Sequence, residues 1–304
     1  MLQVTNLTKK FISKTAVDNI SFTVKPGVIT GLLGPNGAGK TTTMRLLTSY
    51  MEPSGGEIFY KGVDVRKNPL DFKKKLGYLP ESAPLYPEML ISEYLRYMAL
   101  ARGVEESQVD TQIEKVKTIC ELESHFETPI SFLSKGFKQR VALAGTLIHD
   151  PEVIILDEPT SGLDPNQISH IRDLIKKLGK EKTLILSTHI LQEVEDICDE
   201  VLIISNGKVV ANSSVKNLYS NHSVLISSKS NYSEIKKVFT GNDFISVEEH
   251  SEEDDGEFKA YIIHLKEFKP ESVFRTLQKS NLDVREIKVY RKSLESIFEE
   301  LTRK

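Results

Sequence analysis

Val28-Ile29-Thr30-Gly31-Leu32-Leu33-Gly34-Pro35-Asn36-Gly37-Ala38-Gly39-Lys40-Thr41-Thr42 decides the fold of this chain. An apolar run fit for a buried strand leads into the phosphate-loop pattern G-x-x-x-x-G-K-[ST], Gly34 to Thr41, and a helical stretch from Thr42 to Ser49 follows. Each residue type has a physical task. The glycines let the backbone curl so that successive N–H groups face a β-phosphate, and the helix N-terminus adds its partial positive charge. Lys40 reaches the β and γ oxygens, and Thr41 supplies a hydroxyl to Mg²⁺. Strand, glycine-rich loop and helix in this order make a nucleoside triphosphate the expected ligand; a chance glycine turn is the competing reading.

With 304 residues, 39% hydrophobic and 27% charged, the chain has the composition of about two globular domains able to bury a large core. A net charge of -3 gives no global reason to expect nucleic acid or an anionic membrane as partner, and Lys73-Lys74-Lys75 reads as a solvated face. Cys120 and Cys198 lack CxxC spacing, so they read as small core residues in a reducing cytosol rather than as a disulfide or zinc site. No segment approaches the roughly 18 consecutive apolar residues of a membrane span, so a membrane would have to be reached through another chain.

Working outward, Ile20, Phe22 and Val24 alternate with polar neighbours, the period of a half-buried strand in an antiparallel N-terminal sheet. Helices are expected over Ser92–Arg102 and Val109–Leu122, the second with Ile113, Val116, Ile119 and Cys120 on a core-facing stripe. Val153-Ile154-Ile155-Leu156 and Leu184-Ile185-Leu186 suit strands buried on both faces of a parallel sheet. Asn206-Gly207 between two apolar runs predicts a hairpin, where the first domain closes. The polar stretch 213–222 reads as a linker. From there to residue 304 the order strand, helix, strand, strand, helix, strand predicts a small ferredoxin-like α+β domain, with the acidic stretch Glu248–Glu257 as a solvated loop.

Asp157 follows its buried strand directly, at the carboxyl edge where α/β sheets place ligands, and can hold Mg²⁺ opposite Thr41. Glu158, one residue on, is free of that duty and is the candidate base that polarises an attacking water. Leu133-Ser134-Lys135-Gly136 opens a helix whose N-terminus, with Ser134 as cap, could bind an anion by the same physics as the phosphate loop. His189 directly follows the second buried strand.

With these residues in place, the chain resembles the ATP-binding subunit of an ATP-binding-cassette (ABC) transporter over about residues 1–212. The phosphate loop is followed in family order by the Leu133–Arg140 signature, Leu156-Asp157-Glu158-Pro159-Thr160, Ser161-Gly162-Leu163-Asp164 as the D-loop, and His189 as the switch histidine. The resemblance implies an α/β P-loop NTPase fold with a RecA-like core, an antiparallel β-subdomain and an α-helical subdomain at about residues 81–150. It implies ATP and Mg²⁺ as cofactors, with Phe11 stacked on adenine and Gly34, Pro35, Asn36, Gly37, Ala38, Gly39, Lys40, Thr41 and Thr42 around the phosphates. Two subunits lie head to tail in such proteins, so Ser134 and Gly136 of the signature helix would meet the ATP of a second copy or a related subunit, and Asp164 of the D-loop is among the nucleotide-binding residues implied. Membrane permease subunits complete the assembly and hold it at the inner face of the cell membrane.

Two motifs depart from the family pattern. Glu81 stands where a glutamine is usual, and its carboxylate could contact Mg²⁺ or the attacking water. Lys135 and Phe137 replace the usual signature glycine and glutamine. Tyr78-Leu79-Pro80-Glu81 and the ending Leu294–Thr302, with Leu294, Ile297, Phe298 and Leu301 on one helical face, are most similar to ABC-2-type export subunits of the gliding-motility-associated kind. DNA-repair ATPases with this head need a long coiled coil between phosphate loop and signature, and this interval is too short. Ribosome-associated relatives usually carry two cassettes. A nucleotide sensor without turnover would not need Glu158 and His189.

Overall fold

The computed structural model describes residues 1–218, 223–241, 243–250, 256–267, 269–290 and 293–302. These fall into two compact units, Met1–Val215 together with the residues from Leu301 on, and Lys216–Glu300. The chain begins β1 (Leu2–Lys10), β2 (Thr15–Val24), β3 (Ile29–Leu33), α1 (Lys40–Leu47), β4 (Gly55–Tyr60), β5 (Val63–Asp64), α2 (Pro69–Lys74) and β6 (Leu76–Leu79). It continues α3 (Ile91–Ala101), α4 (Glu106–Ile119), α5 (Lys135–Leu147), β7 (Val153–Asp157), α6 (Pro165–Gly179), β8 (Thr183–Thr188), α7 (Leu191–Ile197), β9 (Glu200–Ser205) and β10 (Lys208–Ser214).

An antiparallel sheet of order β2-β1-β4-β5 buries Ile20, Phe22 and Val24, as their alternation predicts. The second sheet has the order β10-β9-β3-β8-β7-β6, with every pair parallel except β9 and β10. Its central strands β3, β7 and β8 are buried at every residue, because both faces are covered. Their carboxyl ends align: Leu33 sits beside Thr188, and Asp157 beside Ser187. That register brings the phosphate loop, Asp157 and His189 to one edge. The turn between β9 and β10 has positive φ at both Asn206 (50°) and Gly207 (78°), as a tight two-residue hairpin requires. The helical part packs α3 against α4 and α5 around Ile91, Leu95, Ile113 and Val116. Helix α4 starts before the expected Val109, at Glu106, and α1 already begins at Lys40.

The expected linker needs correction. Ser213 and Ser214 belong to β10, paired with Val201 and Glu200, since an edge strand's backbone ladder forms whatever the polarity of its side chains. The short helix α8 (Val215–Leu218) follows, and residues 219–222 lie outside the described residues.

The second unit comprises β11 (Ser223–Ser228), α9 (Tyr232–Val238), β12 (Phe244–Glu249), β13 (Lys259–Leu265), α10 (Pro270–Gln278) and β14 (Val284–Tyr290), in the element order expected. All pairs are antiparallel in the order β12-β13-β11-β14, the arrangement of a ferredoxin-like sheet. Ile235, Phe239 and Val273 bring α9 and α10 onto Val224, Ile226 and Ile263. Most of the acidic stretch, 251–255, lies outside the described residues. In α11 (Leu294–Thr302), Leu294 is buried and Ile297, Phe298 and Leu301 are half-buried, while Glu295, Glu299 and Glu300 are exposed, so the expected apolar face is present.

Cys120 and Cys198 are buried and unpaired. Burial pushes the Cys120 thiol up to about 12 and raises that of Cys198 as well. Thiolate is the reactive form. A disulfide reagent at pH 8 should therefore find no rapidly reacting thiol in the native chain and both thiols after denaturation.

Candidate functional site

The phosphate loop leaves β3 and enters α1 through a turn that tolerates only glycine at Gly39. Its φ is 112°, and a Cβ there would lie 2.4 Å from the carbonyl oxygen of Ala16. The hairpin turn fixes the loop from the other side, as the Gly207 N–H donates to the Ala38 carbonyl at 2.8 Å. So the hairpin that the sequence announces also supports the phosphate loop.

A cleft of about 440 Å³ opens over this loop. Asn36, Gly37, Gly39, Lys40, Thr41 and Thr42 form its floor. Phe11, Glu81, Glu158 and His189 rise around it, joined by Lys14 and Ala16. Lys40 is 7% exposed, and its ammonium donates to the Gly34 carbonyl at 2.8 Å and the Pro35 carbonyl at 3.4 Å. Gly34, Pro35 and Ala38 do not line the cleft; the Pro35 carbonyl also accepts from Ala38 N–H at 3.1 Å, which closes the loop.

Glu158, expected as the candidate base, is engaged at both carboxylate oxygens. One carboxylate oxygen lies 3.6 Å from Lys40 Nζ, and the other lies 2.7 Å from His189 Nδ1, in a side chain only 11% exposed. Its backbone φ is 49°, a left-handed conformation that costs of the order of 1–3 kcal/mol for a residue with a side chain. Bonds from Glu158 N–H to the Ser187 hydroxyl at 3.0 Å and the Ser187 carbonyl at 3.2 Å hold it there.

Asp157 is 1% exposed. Burial pushes its carboxyl above the usual carboxylate range, opposed by hydrogen bonds from Ser187, whose Oγ lies at 2.5 Å, and from Thr41. A buried carboxylate served by hydroxyls, beside a phosphate-loop threonine, fits a hard divalent cation with oxygen ligands. Glu81 is exposed at the rim.

Ser134, Gly136 and Asp164 also do not line this cleft. Ser134 caps α5, accepting from Phe137 N–H at 3.3 Å, and Asp164 caps α6, accepting from Gln167 N–H at 3.0 Å. Gly136 faces Gln167, whose Cδ would lie 2.3 Å from an added Cβ, so its lack of a side chain accommodates Gln167 within the same chain. Sequence reasoning missed Lys14, which donates to the Gly37 carbonyl at 3.3 Å, and gave Ser187 no role. Ser187 was within reach of a strand-register argument, because it stands beside Asp157; Lys14 carries no motif.

The family model described as "ABC transporter" matches residues 17–161. The ABC transporter ATP-binding protein NatA of Bacillus subtilis is 36% identical over 225 residues, 72% of this chain and 92% of that protein. This chain belongs to the ATP-binding proteins of ABC transporters. The bacitracin transport ATP-binding protein BcrA of Bacillus licheniformis is 38% identical over 212 residues, 69% of this chain and 68% of that protein. A solved ATP-binding subunit of an ABC transporter, 31% identical, superimposes with a TM-score of 0.65 over 72% of this chain and 91% of its own. As a member of this family the cassette is an ATPase that powers transport. No helix of the described residues is long and apolar enough to cross a membrane.

The buried charge of Asp157 opposes folding. Its folded-state pKa is raised, so protonation favours the native state and the cost of the ionised form grows as pH rises through that pKa. Asp157→Asn keeps an acceptor for Ser187, and relief of the buried charge should raise the melting temperature of the nucleotide-free chain at pH 8. The gap should narrow on acidification. Melting curves at pH 5 and pH 8 test this, and a lowered melting temperature would contradict the burial account.

Proposed function

We propose that this chain hydrolyses MgATP to drive an ABC exporter, and that the driving event is closure of two cassettes over bound ATP. The observation that carries the reading is the joining of Lys40, Glu158 and His189 at the mouth of the phosphate loop. Lys40 and the loop amides of Gly34–Thr42 would take the β- and γ-phosphates, and Phe11, 46% exposed at the cleft edge, would offer its ring to adenine. Incoming γ-phosphate competes with Glu158 for Lys40, which frees a carboxylate oxygen for water. Glu158 then accepts a proton as the water oxygen attacks the γ-phosphorus and the bond to the ADP oxygen breaks, with His189 donating to the γ-phosphate. Thr41 and Asp157, with Glu81 at the rim, would hold Mg²⁺, which neutralises phosphate charge when bound.

Ser134, Gly136 and Asp164 lie outside the cleft of their own chain, which supports their use on the ATP of a second cassette. The α5 N-terminus can address the γ-phosphate by charge-assisted hydrogen bonds that form only across that interface, so nucleotide and association are linked reciprocally. Separate permease subunits would hold the pair at the inner face of the membrane. Export as the direction rests on the ABC-2-type resemblance and on the similarity to a bacitracin transport protein.

Lys40→Ala should weaken nucleotide binding, whereas Glu158→Gln should bind normally and lose nearly all turnover. Sedimentation of Glu158→Gln with MgATP should show a dimer that ADP does not support and that Ser134→Arg disrupts. A dimer equal in ADP, or indifferent to Ser134→Arg, overturns the closure mechanism.

A further inference from the structure

Behind the cleft lies a carboxylate that the hydrolytic reading does not use. Glu193, in the first turn of α7, is 0% exposed. One of its oxygens accepts from the Thr160 hydroxyl, and the other accepts from the Thr188 hydroxyl at 2.6 Å. Thr160 follows Asp157, Glu158 and Pro159 at the end of β7, and Thr188 immediately precedes His189 at the end of β8. A carboxylate withdrawn fully from water is costly unless its acceptor sites are filled. Here they are filled by one hydroxyl from each functional segment.

A role confined to starting α7 does not account for this pattern. In a capping box the acidic residue reaches back to the N-cap N–H. The N-cap N–H of Ile190 instead donates to the Thr188 hydroxyl at 3.0 Å, which leaves both oxygens of Glu193 for the two threonines. Ser187 ties the same two segments on the other side of Glu158, through Asp157 and the Glu158 N–H. The turn carrying Glu158 at its left-handed φ is therefore clamped to the His189 segment before and after the glutamate.

We infer that Glu193 is a positioning residue for hydrolysis, holding the Glu158 turn and His189 in mutual register through Thr160 and Thr188. The inference rests on the assignment of Glu158 and His189 above. Small displacements of reacting groups cost about 10²-fold in rate, whereas phosphate binding by the distant loop amides is insensitive to this bridge. The effect should fall on turnover and spare nucleotide affinity.

The test is steady-state ATPase kinetics and equilibrium nucleotide binding of the full chain carrying Thr160→Val, Thr160→Ser, Glu193→Gln or Glu158→Gln, with thermal unfolding of each. Thr160→Val keeps the shape and removes the donor, and should lower kcat about tenfold or more with KM for ATP and nucleotide affinity within about twofold. Thr160→Ser restores the donor and should recover most of kcat. Glu193→Gln should follow Thr160→Val. Parental kcat in Thr160→Val, or an equal loss in Thr160→Ser, overturns the bridge, as does a loss of affinity parallel to the loss of rate. If Glu158→Gln itself retains turnover, the underlying assignment fails, an outcome distinct from an inactive Glu158→Gln beside an active Thr160→Val.

Discussion

The register of three adjacent parallel strands is the constraint on which the rest of this cassette depends. β3, β8 and β7 pair in order, and every residue of all three is buried. Parallel pairing forces their carboxyl ends to one edge, and the segments that leave that edge carry Lys40, His189 and Asp157–Glu158. A single-residue slip would exchange the faces of a strand and scatter the group. The continuous apolar character of these strands resists that only weakly on its own, since both faces look alike. Polar ties at the strand ends supply specificity: Ser187 to Asp157 at 2.5 Å, and Glu193 between Thr160 and Thr188.

These ties sit where burial is most costly. Asp157, Glu193 and Lys40 are all nearly inaccessible, and Glu158 is held in a strained backbone conformation. Such groups lower the stability of the resting fold and are rational at a site that must bind a highly charged ligand. Lys40 rests on two loop carbonyls and faces Glu158, so its charge is partly compensated in the absence of phosphate. A triphosphate would replace weak acceptors by strong ones, and the difference is available to reorganise the site.

The division into two units separates chemistry from whatever the second unit adds. All phosphate-loop, Asp157, Glu158 and His189 elements lie within Met1–Val215, and the ferredoxin-like sheet of the second unit has its own apolar core. Within the first unit, the N-terminus of α1 faces the cleft and that of α5 does not. The Ser134 cap and the Gly136–Gln167 contact keep that second end ordered.

Local sequence determined much of this protein by itself. The phosphate loop, the buried β7 and β8 strands, the Asn206-Gly207 hairpin and the element order of the second unit were legible, because each depends on periodicity or on a residue with one conformational use. That Lys40, Asp157 and His189 gather at one edge of the sheet was legible as well, through motif order. Other features were decided only in three dimensions. Ser213 and Ser214 read as linker, yet they extend β10, since a backbone ladder is set by the partner strand. Glu158 read as the candidate base, but its contacts to Lys40 and His189 were not legible, since those residues are distant in sequence and meet through strand register. Lys14, Ser187 and Glu193 carry no motif of their own. Ser187 could be placed beside Asp157 only once the strand register was known, and the partners of Lys14 and Glu193 are chosen by packing.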